Sequence, residues 1–171
     1  MFKRKIITKE PENFEKAYEY AVYLLSLSLR TSGELENKMR EKGYSSENIG
    51  KVIQELATNR YVDDSRYAEV YLENLKKYKT FGFYGIKKKL MEKRLPSSII
   101  ESVLSEGLSE EEEARIAKKF MLKAGCHRES LARVPKIPCD SSGNGRQEKQ
   151  KFAQKLKSRG FRGSVIAKLI F

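Results

Sequence analysis

The fold is decided by the stretch LENKMREKGYSSENIGKVI, residues 35–53, because the same pattern occurs three times in the chain. It returns as IKKKLMEKRLPSSIIESVL at residues 86–104, an offset of 51, and as FAQKLKSRGFRGSVIAKLI at residues 152–170, a further offset of 66. Apolar positions stay apolar in every copy, and the basic position at Lys42 stays basic. Such self-similarity is typical of repeat proteins, in which one supersecondary unit stacks on its neighbours. We therefore expect a built-out surface rather than an enclosed pocket.

The apolar spacing within each copy predicts helices. Leu35 and Met39 lie one helical turn apart, and Gly43 fits the left-handed position at which many helices end. Thr31-x-x-Glu34 has the form of a capping box and predicts the start of that helix. Alternating apolar and polar segments, which would predict strands, are absent. We predict an all-α fold with three tandem three-helix modules in an elongated, curved arrangement.

The punctuation of the sequence suggests where these modules begin and end. Pro11 suits the first turn of the first helix, and residues before it are expected to form a flexible lead. A segment containing two prolines and the run DSSGNG interrupts the third module and predicts an inserted loop. The predicted boundaries are 1–10 for the lead, 11–58, 59–106 and 107–171 for the three modules, and 126–146 for the inserted loop.

Charge favours an acidic partner. Lys and Arg number 35 against 23 Asp and Glu, which gives a net charge of +12. Eight basic residues and one acid lie between Lys76 and Arg94, and the same counts recur between Arg146 and Phe171. Clustered cations bind polyanions by releasing counterions, so these stretches predict two positive faces. The plainer interpretation is that the lysines only solvate exposed helices.

The sequence shows no signal for a membrane or an oxidising compartment. No apolar run approaches the roughly 20 residues that cross a bilayer, and no apolar signal-peptide core follows the basic start. Two cysteines in 171 residues do not suggest a disulfide framework. We expect a cytoplasmic protein without a membrane partner.

Residues with catalytic chemistry are sparse. The single histidine, His127, lies in the predicted loop, and neither a Gly-x-Ser-x-Gly elbow nor a glycine-rich phosphate loop is present. Cys126, Cys139 and Asp140 lack the Cys-x2-Cys spacing of structural zinc sites. Asp63-Asp64 is explained by helix capping. We therefore expect no catalytic residue, no metal and no cofactor.

The stretch YVDDSRYA, residues 61–68, resembles the signature of the RecX family, the bacterial regulators of the RecA recombinase. Lys42-Gly43-Tyr44 also fits the family pattern. The chain departs from it at Phe83, where proline is usual, and at Arg94, which replaces the glycine of the other two modules. The signature residues are Asp63, Asp64, Arg66, Tyr67 and Ala68.

The resemblance implies a non-enzymatic regulator that lies in the groove of the RecA–DNA filament. There it would contact neighbouring RecA subunits and act as an inhibitor of ATP hydrolysis, strand exchange and filament extension. We expect the chain itself to be a monomer. A row of basic modules agrees with such a role, because several weak contacts along a filament add up to useful affinity. The residues predicted to contact the RecA filament or DNA are Arg66, Lys87, Lys88, Lys89, Lys93, Lys155, Arg159 and Arg162.

Two other interpretations remain open. The first is direct binding to single- or double-stranded DNA, mainly through phosphates, because no Asn or Gln cluster suggests base reading. The second is a helical scaffold for another protein.

Overall fold

The described part of the chain is helical outside its turns. In the computed structural model, residues 8–125 and 144–170 are described, and they contain nine helices and no strand, which confirms the all-α class. The helices follow one another in the order that three three-helix modules predict. They are α1 Phe14–Leu27, α2 Ser32–Lys42, α3 Ser46–Thr58, α4 Asp64–Tyr78, α5 Phe83–Glu92, α6 Ser97–Gly107, α7 Glu110–Gly125, α8 Asn144–Ser158 and α9 Gly163–Ile170.

Local capping fixes the ends of α2 as the sequence predicts. The Thr31 hydroxyl accepts a hydrogen bond from Glu34 N, and the Glu34 carboxylate accepts one from Thr31 N, so the capping box is complete. Gly43 ends the helix with φ +98°, a left-handed conformation that costs glycine little. Ser45 then caps α3 by accepting from Asn48 N. These short-range contacts explain why this turn is readable from sequence.

The start of α1 differs from the prediction. The helix begins at Phe14 rather than at Pro11, because the Asn13 side chain caps it by accepting from Lys16 N at 3.0 Å. Pro11 instead turns its carbonyl toward the α2–α3 turn, where it accepts from Ser45 N at 3.2 Å. The helix boundary is therefore set partly by residues more than 30 positions away.

The helices group into two compact units. Unit 1 contains the residues up to Ala68 and the segment Met91–Ile99, and unit 2 contains Glu69–Leu90 and the residues from Ile100 on. Each unit has its own core, and in both it is built from the repeated apolar positions. Buried residues of unit 1 are Ala17, Ala21, Leu24, Leu35, Met39, Tyr44, Ile49, Val52, Leu56 and Val62. Buried residues of unit 2 include Leu72, Leu75, Ile86, Leu90, Ile100, Leu104, Ala117, Phe120, Leu156, Phe161, Val165 and Ile170.

Glycines make close backbone approaches in both units, on one side of the contact in unit 1 and on both sides in unit 2. In unit 1, Gly33 at the start of α2 packs on Arg94, and a Cβ at Gly33 would lie 2.7 Å from Arg94 Cβ. In unit 2, the equivalent of Arg94 is Gly160, and a Cβ there would lie 2.2 Å from Gly85 N and 2.9 Å from the carbonyl carbon of Tyr84, the equivalent of Gly33. From the other side, a Cβ at Gly85 would lie 2.3 Å from the Arg159 carbonyl oxygen. Arg94 keeps the left-handed turn with φ +57°, and Gly160 has φ +79°. The unusual Arg94 is therefore accommodated by Gly33.

Several sequence predictions fall on residues that the structure does not describe. The inserted loop, predicted at 126–146, lies outside the described residues apart from its last three, which begin α8 at Asn144. Cys126, His127, Cys139 and Asp140 lie outside them as well. Among the described residues, no group of three or more His, Cys, Asp or Glu side chains is placed to hold a metal ion. Within that same part of the chain, every helix is too short or too polar to span a bilayer.

Candidate partner-binding surfaces

Helix α5 presents its three consecutive lysines in different environments. The Lys87 ammonium lies 3.6 Å from the Glu101 carboxylate, so part of its charge is balanced within unit 2. Lys88 is exposed and has no ion-pair partner among the described residues, whereas Lys89 is half-buried. The helix buries Ile86 and Leu90 on its other side, which turns Lys88 outward. Of these lysines, Lys88 is the most available to an external anion.

Lys93 is engaged inside unit 1. Its ammonium lies 3.0 Å from the Glu34 carboxylate, and the side chain is only partly exposed. The hydrogen bond to Glu34 raises the pKa of Lys93, burial opposes this, and the Tyr67 hydroxyl adds to the rise. Its carbonyl accepts from the Thr31 hydroxyl at 2.6 Å. Lys93 therefore holds the α5–α6 turn against the start of α2.

The two signature aspartates have different structural roles. The Asp63 carboxylate accepts from Arg66 N at 2.9 Å and so caps α4, as the sequence predicts. The Asp64 carboxylate instead accepts from Ser32 N at 2.8 Å and from the Ser32 hydroxyl, so it caps α2 from outside. The Arg66 side chain is exposed, while Ala68 is buried in the packing. The signature thus combines two aspartates that cap helices with one exposed cation, Arg66.

Arg162 is tied to the only fully buried carboxylate among the described residues, that of Glu113. The Glu113 carboxylate accepts from the Arg162 Nε, from Arg162 N at 2.8 Å and from Phe83 N at 3.0 Å. One side chain therefore caps the starts of both α5 and α9. The Arg162 guanidinium also lies 4.9 Å from the Phe83 ring centroid. These contacts assign Arg162 a structural role, and sequence reasoning missed Glu113 because it lies 49 residues away.

Arg159 is held by aromatic rings rather than by a carboxylate. Its guanidinium carbon lies 5.6 Å from the Phe81 ring centroid and 5.1 Å from that of Phe120. The residue stays exposed, so cation–π contacts orient the guanidinium without neutralising it. Lys155 is likewise exposed, with its ammonium 5.5 Å from the Phe152 ring centroid. Both can present charge to a partner.

Further cations collect near Arg159, at the end of α4. Lys119 Nζ donates to the carbonyl of Lys77 at 3.3 Å, which places α7 beside the last turn of α4. Lys77 and Lys79 are exposed. Phe81 follows them closely in the chain, and its ring contacts the Arg159 guanidinium. We call Lys77, Lys79, Lys119 and Arg159 the α4-end cluster. The charge count pointed to three of its members, but Lys119 joins them only through the fold.

Lys76 shows what distinguishes the α4-end cluster. Its ammonium lies 2.7 Å from the Glu73 carboxylate and 3.2 Å from that of Glu112, and it donates to the Gly107 carbonyl at 2.9 Å. Burial works against its charge, but the two carboxylates outweigh it and raise the pKa of Lys76. Within the described residues, no ion pair of this kind balances the α4-end cluster.

The predicted contact residues are thus divided by the fold. Arg66 and Lys93 belong to unit 1, and the other six belong to unit 2. Arg66, Lys88, Lys155 and Arg159 are exposed and have no described carboxylate partner, whereas Lys87, Lys93 and Arg162 form ion pairs within their units.

Comparison with known proteins agrees with the repeat and the signature. A family model described as RecX, first three-helix domain, matches residues 17–56. The regulatory protein RecX of Haemophilus influenzae (strain PittEE) is 32% identical over 155 residues, covering 90% of this chain and 92% of the relative. That of Geobacillus thermodenitrificans (strain NG80-2) is 30% identical over 156 residues, covering 91% of this chain and 53% of the relative. The crystal structure of RecX from Lactobacillus salivarius superposes with a TM-score of 0.75 at 25% identity, covering 92% of this chain and 94% of that one.

The fold and the surfaces define an all-α repeat protein with exposed basic faces. The chain belongs to the RecX family of regulatory proteins. It spans about half the length of the first curated relatives that it matches, such as the one from Geobacillus thermodenitrificans, of which it covers 53%.

Proposed function

We propose that this chain is a non-enzymatic regulator of a RecA recombinase in the cytoplasm. It would bind in the groove of the RecA–DNA filament and limit ATP hydrolysis, strand exchange and filament extension. Family membership carries this proposal, because a relative named regulatory protein RecX matches 90% of the chain. The net charge of +12 supports it, since the partner would be a filament built around a polyanion.

The direct contacts in this proposal are the exposed cations. Arg66, Lys88, Lys155 and Arg159 can meet an acidic surface without first breaking a described ion pair. Lys87, Lys93 and Arg162 would act indirectly, because their internal ion pairs hold the helices that present the others. A cation that already pairs with a carboxylate gains little from a second acidic partner. The ion pairs of the structure therefore separate the direct contacts from the indirect ones.

The decisive test is RecA ATPase activity on single-stranded DNA, with this protein titrated in. The parent is expected to lower the ATPase rate, and the variant K88Q/R159Q is expected to need about tenfold more protein for the same effect, because it loses two charge-assisted contacts. The variant K51Q is the matched control, since Lys51 is an exposed lysine that pairs with Glu47 on α3. An unchanged ATPase rate with the parent would reject the proposal, and equal potency of K88Q/R159Q would reject these contacts.

Direct DNA binding is the second candidate, and the α4-end cluster is the observation that favours it. One of its four cations lies beside an exposed aromatic ring, because the Lys77 ammonium is 5.3 Å from the ring centroid of Tyr78. Proteins that bind single strands combine cations with rings on which bases stack. Binding to bare and RecA-coated single-stranded DNA, compared across a salt series, separates the two functions. Equal affinity with a steep loss in salt would favour direct DNA binding.

A further inference from the structure

Two equivalent carbonyls of the repeat accept hydrogen bonds from the preceding module. The offset of 66 relates Lys93 to Arg159, and both residues lie in the turn between the second and third helices of their modules. The Lys93 carbonyl accepts from the Thr31 hydroxyl at 2.6 Å, and the Arg159 carbonyl accepts from Gly82 N at 3.1 Å. Thr31 and Gly82 immediately precede α2 and α5. Each turn therefore receives the N-terminal end of the preceding module's second helix.

The third equivalent carbonyl, that of Lys42, has a different partner. The offset of 51 relates Lys42 to Lys93, and the Lys42 carbonyl accepts from Thr8 N at 2.8 Å. Three residues after Lys42, Ser45 N donates to the Pro11 carbonyl at 3.2 Å. Its equivalent, Arg162 N, donates to the Glu113 carboxylate instead. At the Lys42 carbonyl, Thr8 thus occupies the place that the preceding module occupies at the other two turns, while Pro11 takes the place of an acceptor from the turn's own module.

The covered polar groups need a partner. Besides Ser45 N, the Pro11 carbonyl accepts from Asn48 Nδ2 at 3.2 Å, and the Asn48 side chain is almost completely buried. Leaving such buried donors without an acceptor costs free energy. If the segment were removed, the exposed turn would therefore bind a group that supplies new hydrogen-bond partners. In contrast, Thr8–Pro11 is attached to the rest of unit 1 on the solvent side by exposed contacts, including the ion pair of Glu10 with Lys16. Exposed pairs of this kind hold weakly.

We propose that Thr8–Pro11 is a built-in cap over a module-docking surface, and that this surface, once uncovered, binds the N-terminal end of α5 from a second copy of this chain. The turn itself selects that end. Gly43, Arg94 and Gly160 are equivalent positions of the repeat, and Gly43 shares its residue type with Gly160, which accommodates Tyr84 and Gly85 of the α5 end. Arg94, by contrast, requires Gly33 in front of it. The α5 end would leave the α8–α9 turn of its own copy, where Gly82 N donates to the Arg159 carbonyl, and make the equivalent contacts at the α2–α3 turn of the other copy. Such an exchange of an element between copies is a low-cost route to association.

A carboxylate completes the match between the two turns. The Ser45 hydroxyl donates to the Glu12 carboxylate at 2.8 Å, so Glu12 lies beside Ser45 as Glu113 lies beside Arg162. At the α5 end, Glu113 also accepts from Phe83 N at 3.0 Å. Glu12 can offer the same acceptor to Phe83 N of a second copy. This inference goes beyond regulation of RecA and does not depend on it.

The test compares two substitutions at Thr8 by sedimentation velocity over a range of protein concentrations. T8P removes the backbone donor to the Lys42 carbonyl, and the apparent association constant is expected to rise about two- to tenfold, the equivalent of one hydrogen bond. T8A keeps that donor and loses only the contact of the Thr8 hydroxyl with Glu10 N, so its association should match the parent. Thr8 lies outside every described helix, so circular dichroism should be unchanged for both.

Deletion of residues 1–11 removes the cap entirely and identifies the surface. The truncated chain is expected to associate reversibly and more strongly than T8P, and a synthetic peptide of residues 1–13 should return it to monomers. A scrambled peptide should not. A truncated chain that stays monomeric and helical would overturn the proposal. Association that the peptide does not reverse would also overturn it, because the contact would then lie on another surface.

Discussion

At the scale of single residues, the absence of one Cβ decides how close two backbones can come. Gly33 packs against Arg94 in unit 1, whereas Gly160 packs against Tyr84 and Gly85 in unit 2, so glycine lies on one side of the first approach and on both sides of the second. The price of the first arrangement is a non-glycine residue, Arg94, in the left-handed region with φ +57°. That conformation costs roughly 1 kcal/mol or more for a residue with a Cβ.

Substituting Gly33 therefore tests the approach directly. G33A is expected to lower the free energy of unfolding by about 1–3 kcal/mol, because its methyl group would meet Arg94. G50A is the matched control, since Gly50 lies within α3 and a Cβ there would meet no atom within 4 Å. It should raise the free energy of unfolding by about 0.5–1 kcal/mol through helix propensity. Urea denaturation measures both changes, and equal effects would contradict this account.

Glu113 is the second residue whose single change should be costly. E113Q keeps the shape of the side chain but places an uncharged amide against the Arg162 guanidinium, in a site with no solvent exposure. The free energy of unfolding should fall by about 3 kcal/mol, as expected when one member of a buried pair is lost. E110Q alters an exposed carboxylate on the same helix, paired with Lys168, and should have little effect. Similar losses for the two variants in urea denaturation would show that burial is not the cause.

At the scale of elements, the helices were readable because their signals are local. The capping box of Thr31 and the glycine at 43 act within one turn, and the apolar stripes repeat every three or four residues. Pro11 misled the prediction of α1 because its partner, Ser45, is distant in sequence. Residues 8–10 were expected to belong to the flexible lead, and the hydrogen bond from Thr8 N to the carbonyl of Lys42 could not be read from sequence.

The attachment of this segment should depend on pH. Hydrogen bonds from Lys16 and then Asn13 hold the pKa of Glu10 below its ordinary value of 4.5. A lowered pKa in the folded state means that the contact stabilises fully above pH 4.5 and is lost as pH falls through the lowered value. An NMR titration of the Glu10 carboxyl should show this midpoint, and K16Q should move it back toward 4.5. A midpoint that K16Q leaves unchanged would contradict the ion pair.

At the scale of the whole molecule, the chain has two separate cores, and α4, α5 and α6 each contribute residues to both units. Leu35 and Leu156 occupy the centres of the two cores and are completely buried. A unit with its own core can open locally without exposing the other. Each unit should therefore have its own free energy of unfolding, and a change in one core should leave the other unit's stability unaffected.

Core truncations test this division. L35A and L156A should each lower the free energy of unfolding of their own unit by about 2–5 kcal/mol. In native-state hydrogen exchange, L35A should speed exchange in α3 while α9 keeps its protection, and L156A should do the reverse. Equal acceleration in both helices would mean that the chain unfolds as one cooperative body.

The candidate surfaces were less predictable than the fold. Sequence reasoning located the basic stretches, because charge counts need no structure. It could not separate Arg159, which stays exposed, from Arg162, whose partner Glu113 is 49 residues away. Lys119 was missed for the same reason, since only the packing of α7 beside α4 brings it to Lys77. Ion pairing between distant segments is the information that the local patterns lack.

The different placement of glycine in the two units has a consequence for how such chains can be rearranged. If the segment around Tyr84 were transplanted to meet Arg94, the Tyr84 Cβ would compete with Arg94 for the space that Gly33 leaves open. Modules of this chain are therefore not interchangeable building blocks. Shuffling or duplicating one of them would need a matching change in its neighbour, so the linear order of the repeats is encoded in their steric fit.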